Sequence, residues 1–172
     1  MALAETDVEL RARLDRLAIQ DLINRYASAV TRADWEKCES VFAPDCVWES
    51  PGLGTRFETP AAFVGMLADP SSATELLIQT TSSSVIRLTG PDRAEATTTV
   101  HEVWRGQSPV ENRYGEVGAP LNIEQYGIYH DDVARIDGEW KFTHRLFVPI
   151  YVASGGVTGD VITERSALLR PN

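Results

Sequence analysis

The sequence predicts an α+β domain in which a helical N-terminal part is followed by a long antiparallel meander. Two observations predict it. Apolar residues recur at helical intervals up to about Pro70, and four long stretches rich in Thr, Val, Ile and aromatics fill most of the chain beyond it. A chain of 172 residues is also long enough to bury one core without help from metals or disulfides. Residues 1–152 are therefore expected to form one domain, and 153–172 a C-terminal tail or arm.

From Asp7 to Val30, the residues Leu10, Leu14, Leu17, Leu22, Tyr26 and Ala29 recur at helical intervals, while Arg11, Asp15, Asp21 and Arg25 fall largely elsewhere. The segment reads as one amphipathic helix, roughly 36 Å long at 1.5 Å per residue. Thr6 and Glu9 have the spacing of a capping box and mark its start. A short second helix is expected from about Asp34 to Phe42, ended by Ala-Pro-Asp because the residue before Pro44 is pushed out of helical geometry. CVWES then reads as a strand, PGLGT as a turn, and Thr59-Pro60 as the N-cap and first position of a third helix through Phe63, Met66 and Leu67. The long strands are expected at Leu76–Leu88, Ala94–Arg105, Ile123–Ile136 and Trp140–Val152, with Asp137-Gly138 as a hairpin turn.

Charge narrows the partners. With 25 acidic against 16 basic side chains the net charge is −9, and no run of Lys or Arg supplies a phosphate-binding surface, so nucleic acid and anionic membranes are excluded as partners. There is no window of about 18 apolar residues and no signal-peptide pattern at the N-terminus, which predicts a cytoplasmic protein. Cys38 and Cys46 are read as reduced, packed thiols. No GxGxxG, P-loop, HxH, HExxH or GxSxG pattern is present, so neither a nucleotide cofactor, a metal nor a serine nucleophile is expected, and His130-Asp131-Asp132 reads as a solvated strand edge. The partner left is a small molecule.

Candidate chemistry sits on a few side chains. In TTTVHEVWRG, alternation puts Ala94, Ala96, Thr98, Val100 and Glu102 on one face and Glu95, Thr97, Thr99, His101 and Val103 on the other. The first face is the more apolar, so Glu102 is the expected inward acid, its pKa raised by lost hydration; a rim ion pair to Arg105 or Arg113 is the other reading. A single bulge would exchange Glu102 for His101. Tyr26 shares a helical face with Leu22 and Ala29 and would bury its ring with the phenol toward a pocket. His144 shares a face with Trp140, Phe142 and Leu146 and, if inward, would complete an acid–base pair with Glu102. Thr31, at the end of the first helix, is read as a cap or turn residue, since a hydroxyl cannot accept a proton as a carboxylate would.

The order of these elements, with the stretches IQDLINRYASAV, DWEKCESVFAPDCVWE, AAFVGML and IDGEWKF, resembles the SnoaL-like branch of the nuclear-transport-factor-2-like superfamily over about residues 8–150. The resemblance implies a cone-shaped α+β barrel: N-terminal helices packed in a strongly curved, mostly antiparallel sheet, a pocket between them, and a homo-oligomer, dimer or trimer, with dimers formed through the outer sheet face. It implies a cofactor-independent lyase or isomerase, dehydratase-like, acting on a small, mostly apolar carbonyl or hydroxyl metabolite by acid–base chemistry. The alternative is a non-catalytic ligand-binding or assembly subunit of the same fold. Dehydratase relatives carry an aspartate where this chain has Thr31 and a histidine where it has Gln79 and Thr80, so the usual acid–base pair is replaced. Alignment on IDGEWKF places Gly127 and Tyr129 at pocket-lining positions. Glu102, His144, Tyr26 and Tyr129 are thus the candidate catalytic residues, and Trp48, Thr31, Thr80 and His101 the candidate pocket residues.

Overall fold

The computed structural model describes residues 2–113 and 115–168. In chain order the elements are α1 (Ala2–Arg32), α2 (Trp35–Ser40), β1 (Phe42–Ser50), β2 (Thr55–Phe57), α3 (Pro60–Ala68), a 3₁₀ turn (Pro70–Ser72), β3 (Leu76–Gly90), β4 (Arg93–Gln107), β5 (Pro120–Ile136), β6 (Glu139–Ser154) and a final 3₁₀ turn (Arg165–Leu168). The fold is α+β. The strands form one six-stranded sheet in the order β2-β1-β6-β5-β4-β3, which curls round the helices and stays unclosed because β2 and β3 remain edges. β1 runs parallel to β6, and every other pairing is antiparallel.

Local chemistry accounts for most boundaries. Asp34 caps α2 by accepting from the Lys37 N–H at 3.3 Å, and Thr59 caps α3 by accepting from the Ala62 N–H at 3.3 Å, with Pro60 at the first helical position. Four expectations are corrected. The first helix begins at Ala2, so Thr6 lies inside it. The second helix ends at Ser40, and the strand expected at CVWES starts at Phe42. That strand meets Phe142, loses register and recovers it at Val47–His144; Pro44, with no N–H to give, lies in the broken stretch. Finally, PGLGT is not all turn, since its last residue, Thr55, opens the short strand β2.

The core is built by the second half of α1. Ile19, Leu22, Ile23, Tyr26 and Val30 are almost wholly buried, each large apolar side chain contributing about 1.5–3 kcal/mol. Leu10, Leu14 and Leu17, expected on the same stripe, are exposed at 55%, 55% and 66%. Leu10 and Leu17 lie roughly half a turn round the helix from Tyr26, so even spacing did not amount to a common face. Cys38 and Cys46 are free and buried, and burial pushes both thiols up to about 12. No helix among the described residues is long and apolar enough to cross a membrane. Apolar side chains such as Val85, Ile150 and Tyr151 are exposed along the strands.

One irregularity decides which side chains of β6 face inward. Asp132 pairs with His144 while the next residue, Val133, pairs with Phe142, so Thr143 is the extra residue of a β-bulge. Trp140 and Phe142 are buried, and after the bulge the buried positions become Arg145 and Phe147. His144, expected inward with Trp140 and Phe142, therefore lies on the outer face.

Candidate functional site

A cavity with about 80 Å³ of solvent-accessible space lies between the inner face of the sheet and the helices. Trp48 of β1 and Phe63 of α3 stack in its wall at 4.7 Å between ring centroids, and Phe57, Trp104 and Phe147 add further aromatic surface. Polar groups enter from three adjacent strands. Gln79, Glu102 and Gln125 stand directly opposite one another in register across β3, β4 and β5. Gln79 Nε2 donates to Glu102 Oε2 at 2.8 Å and Gln125 Nε2 donates to Glu102 Oε1 at 2.6 Å. Gln79 Nε2 also donates to the Tyr129 phenol oxygen at 3.1 Å.

Thr31 belongs to this arrangement without lining the cavity. Its hydroxyl accepts from the Gln79 N–H at 3.0 Å and donates to the Gln79 carbonyl at 3.2 Å. β3 is an edge strand, so these two backbone groups would otherwise lack a partner strand, and the last turn of α1 covers them. It follows that Gln79 and Glu102 are an opposed pair whose backbones do not bond each other, the kind that brings side chains closest.

Beneath the two tyrosines lies a buried ion pair. Arg145 and Asp131 face each other in register, with Arg145 Nε to Asp131 Oδ1 at 2.7 Å and Nη2 to Oδ2 at 2.9 Å, and neither side chain is exposed at all. The guanidinium carbon sits 4.1 Å from the Tyr26 ring centroid, 4.2 Å from that of Tyr129 and 3.9 Å from that of Phe142. Burial opposes the charge on Arg145, but Asp131 outweighs it and keeps the guanidinium ionised.

The electrostatics follow from this packing. Burial raises the Glu102 carboxyl above its usual range, opposed by the hydrogen bonds from Gln79 and Gln125 and by His101. Burial also raises both phenols, with the Glu102 charge adding to the effect at Tyr129 and Arg145 working against it at each. The two phenol rings meet edge to face, 5.9 Å between centroids. The cavity thus offers a desolvated carboxylate, held by two amides, beside a phenol whose own proton is still available. Such a pair can take a proton from one atom of a ligand and hold negative charge on another.

Each residue singled out from the sequence has a definite place. Glu102, Tyr26, Tyr129 and Trp48 line the cavity. His144 does not; its Nε2 is 2.9 Å from Glu49 Oε1 on the outer face, so the expected pair with Glu102 is not formed. His101 is also outward, 2.9 Å from Glu124 Oε1 and stacked on Tyr126 at 4.3 Å, and Thr80 is exposed, its hydroxyl donating to the His101 carbonyl at 3.3 Å. Glu102 makes no rim ion pair with Arg105, which bonds Glu75, nor with Arg113, which reaches the Gly52 carbonyl. Asp131, read as part of a solvated edge, is buried. Gln125 and Asp131 carried a signal, because both alternate with Gly127 and Tyr129 along β5; Arg145 carried none, because a bulge hides its phase. Among the described residues no cluster of three or more His, Cys, Asp or Glu could hold a metal ion.

The chain is similar to known proteins in fold and in one sequence profile. The profile described as a SnoaL-like domain matches residues 11–146. Hexachlorocyclohexane dehydrochlorinase LinA-type3 from Novosphingobium barchaimii LL02 is 18% identical, with a TM-score of 0.71 over 90% of this chain and 99% of that one. A protein of Novosphingobium aromaticivorans assigned as a scytalone dehydratase is 18% identical, with a TM-score of 0.69 over 86% and 92%. The Kfla4162 protein from Kribbella flavida is 16% identical, with a TM-score of 0.69 over 83% and 95%. No curated protein sequence matches the chain.

Proposed function

The chain belongs to the SnoaL-like domain family, and from that premise we propose that it is a cofactor-independent lyase or isomerase, dehydratase-like, acting on a small, mostly apolar carbonyl or hydroxyl compound. Glu102 takes a proton from carbon, and Tyr129, backed by Tyr26, holds the oxygen on which negative charge develops. The proton then returns to another carbon, or leaves with a hydroxyl as water. The observation that carries this reading is the Glu102 carboxylate, desolvated and held at 2.8 and 2.6 Å by two amides, next to Tyr129 in an aromatic-walled cavity. Arg145 is already neutralised by Asp131 behind the tyrosines, so an anionic ligand would meet an ionised Glu102 without a free counter-charge. The substrate is therefore uncharged, in keeping with the aromatic wall.

The test is proton exchange. Cyclic ketones incubated with the protein in D2O are expected to exchange their α-protons faster than in buffer, as followed by NMR, and Glu102→Gln is expected to slow that exchange by about 100-fold or more while leaving the fold intact. Exchange unchanged in the variant removes Glu102 from the mechanism. A second reading follows from the resemblance, which implies Thr31 in place of an aspartate and Gln79 and Thr80 in place of a histidine: a non-catalytic pocket protein for apolar ligands. Ketones that bind but never exchange would favour it.

A further inference from the structure

We propose that Gln79 is the positioning residue of this site: its amide bridges Glu102 and Tyr129 and thereby turns the Tyr129 hydroxyl proton into the cavity. The consequence is a site selective for uncharged ligands that present an acceptor oxygen. The inference rests on the reading of the cavity as a ligand site.

Donors and acceptors can be counted. A side-chain amide has two N–H groups, and a carboxylate can only accept, so the nitrogen of Gln79 and not its oxygen must face Glu102. One N–H goes to Glu102 Oε2 at 2.8 Å and the other to the Tyr129 oxygen at 3.1 Å. Tyr129 is thus an acceptor toward Gln79, and its own proton cannot point along that line. Among the described residues no hydrogen bond joins Tyr129 to Glu102 directly, which leaves the cavity that Tyr129 lines as the direction for its proton.

Two further contacts make the bridge rigid and specific. Thr31 clamps both backbone groups of Gln79, at 3.0 and 3.2 Å, so the residue that carries the amide is tied to α1 as well as to the sheet. Gln125 holds the other oxygen of Glu102 at 2.6 Å but, among the described residues, makes no bond to Tyr129. It is an internal control: both glutamines hold the carboxylate, and only Gln79 also addresses the phenol.

The experiment is NMR of protein labelled with ¹³C at the Glu carboxyl and Tyr Cζ positions, in the wild type, Gln79→Met and Gln125→Met, each shown to be folded by circular dichroism. Both variants are expected to raise the Glu102 titration midpoint by about one to two pH units, through loss of a hydrogen bond to the charged form. Only Gln79→Met is expected to move the Tyr129 Cζ signal. A Tyr129 signal unmoved in Gln79→Met, or moved as far in Gln125→Met, overturns the proposal. If Gln79→Met does not fold, Gln79→Glu keeps the shape and removes the N–H groups, and the Tyr129 signal is again expected to move. Calorimetry with 2-tetralone and 2-naphthoate reads the selectivity, with the neutral ketone expected to bind at least about tenfold tighter in the wild type. If naphthoate binds as tightly as tetralone, the selectivity is wrong. If neither binds, the ligand-site reading falls and the selectivity with it, whereas the bridge is decided by the spectra alone.

Discussion

Arg145 shows how much one side chain inside the sheet can govern. It is fully buried, bidentate to an equally buried Asp131, and packed against three aromatic rings. A buried pair of this kind contributes little net stability, since desolvation offsets most of the attraction, but breaking it strands a charge. Arg145→Met is expected to destabilise the protein by about 3–5 kcal/mol in denaturant unfolding, and Asp131→Leu added to it is expected to recover most of the loss. If the double variant were no better than the single one, the Arg145 side chain would matter for its packing against Tyr26 and Tyr129 and not for its charge. Glu102 was legible in the sequence because β4 alternates without interruption from Ala94 to Glu102. Arg145 was not, because His144 occupied the position that unbroken alternation assigns to the interior.

Within the sheet, β5 and β6 form the element that places the cavity wall. Gly127 lies in β5 where a Cβ would come within 2.3 Å of Phe147 Cε2 and 2.8 Å of the Val148 carbonyl oxygen, so Phe147 reaches the cavity across a position that admits no side chain. Gly127→Ala is expected to destabilise the domain by about 1–3 kcal/mol and to loosen Phe147, measured by unfolding and by the ring's NMR signals. An unchanged midpoint would mean that the ring has room to retreat. The bulge at Thr143 sets the face of everything after it on β6, and a second irregularity between Tyr126 and Gly127 adjusts the same hairpin. Such features have no reliable signature in a strand's own residues, because an extra residue is defined only by what it fails to pair with. The cap at Thr59, by contrast, was legible, since capping is a contact between residues three apart.

For the molecule as a whole, the desolvated Glu102 carboxylate couples folding to pH. Burial raises its folded-state pKa above the value in the unfolded chain, so the native state holds that proton more tightly. Its stabilising contribution is therefore present below the unfolded value and is lost as pH rises through the folded one. Unfolding midpoints of the wild type and Glu102→Gln between about pH 4 and about pH 8 are expected to diverge in favour of the variant as pH rises. A difference that stays flat would mean that the two amides fully offset the cost of burial. By itself the sequence determined the fold class, the number of long strands, most helix ends and the inward face of β4, because these depend on contacts between near neighbours and on regular periods. Only the tertiary structure decided that Gln79, Glu102 and Gln125 stand in one row, that Arg145 replaces His144 inside, and that Leu10, Leu14 and Leu17 of α1 stay in solvent. Register between strands and the way a helix faces its sheet are relations between distant segments, and no local pattern encodes them.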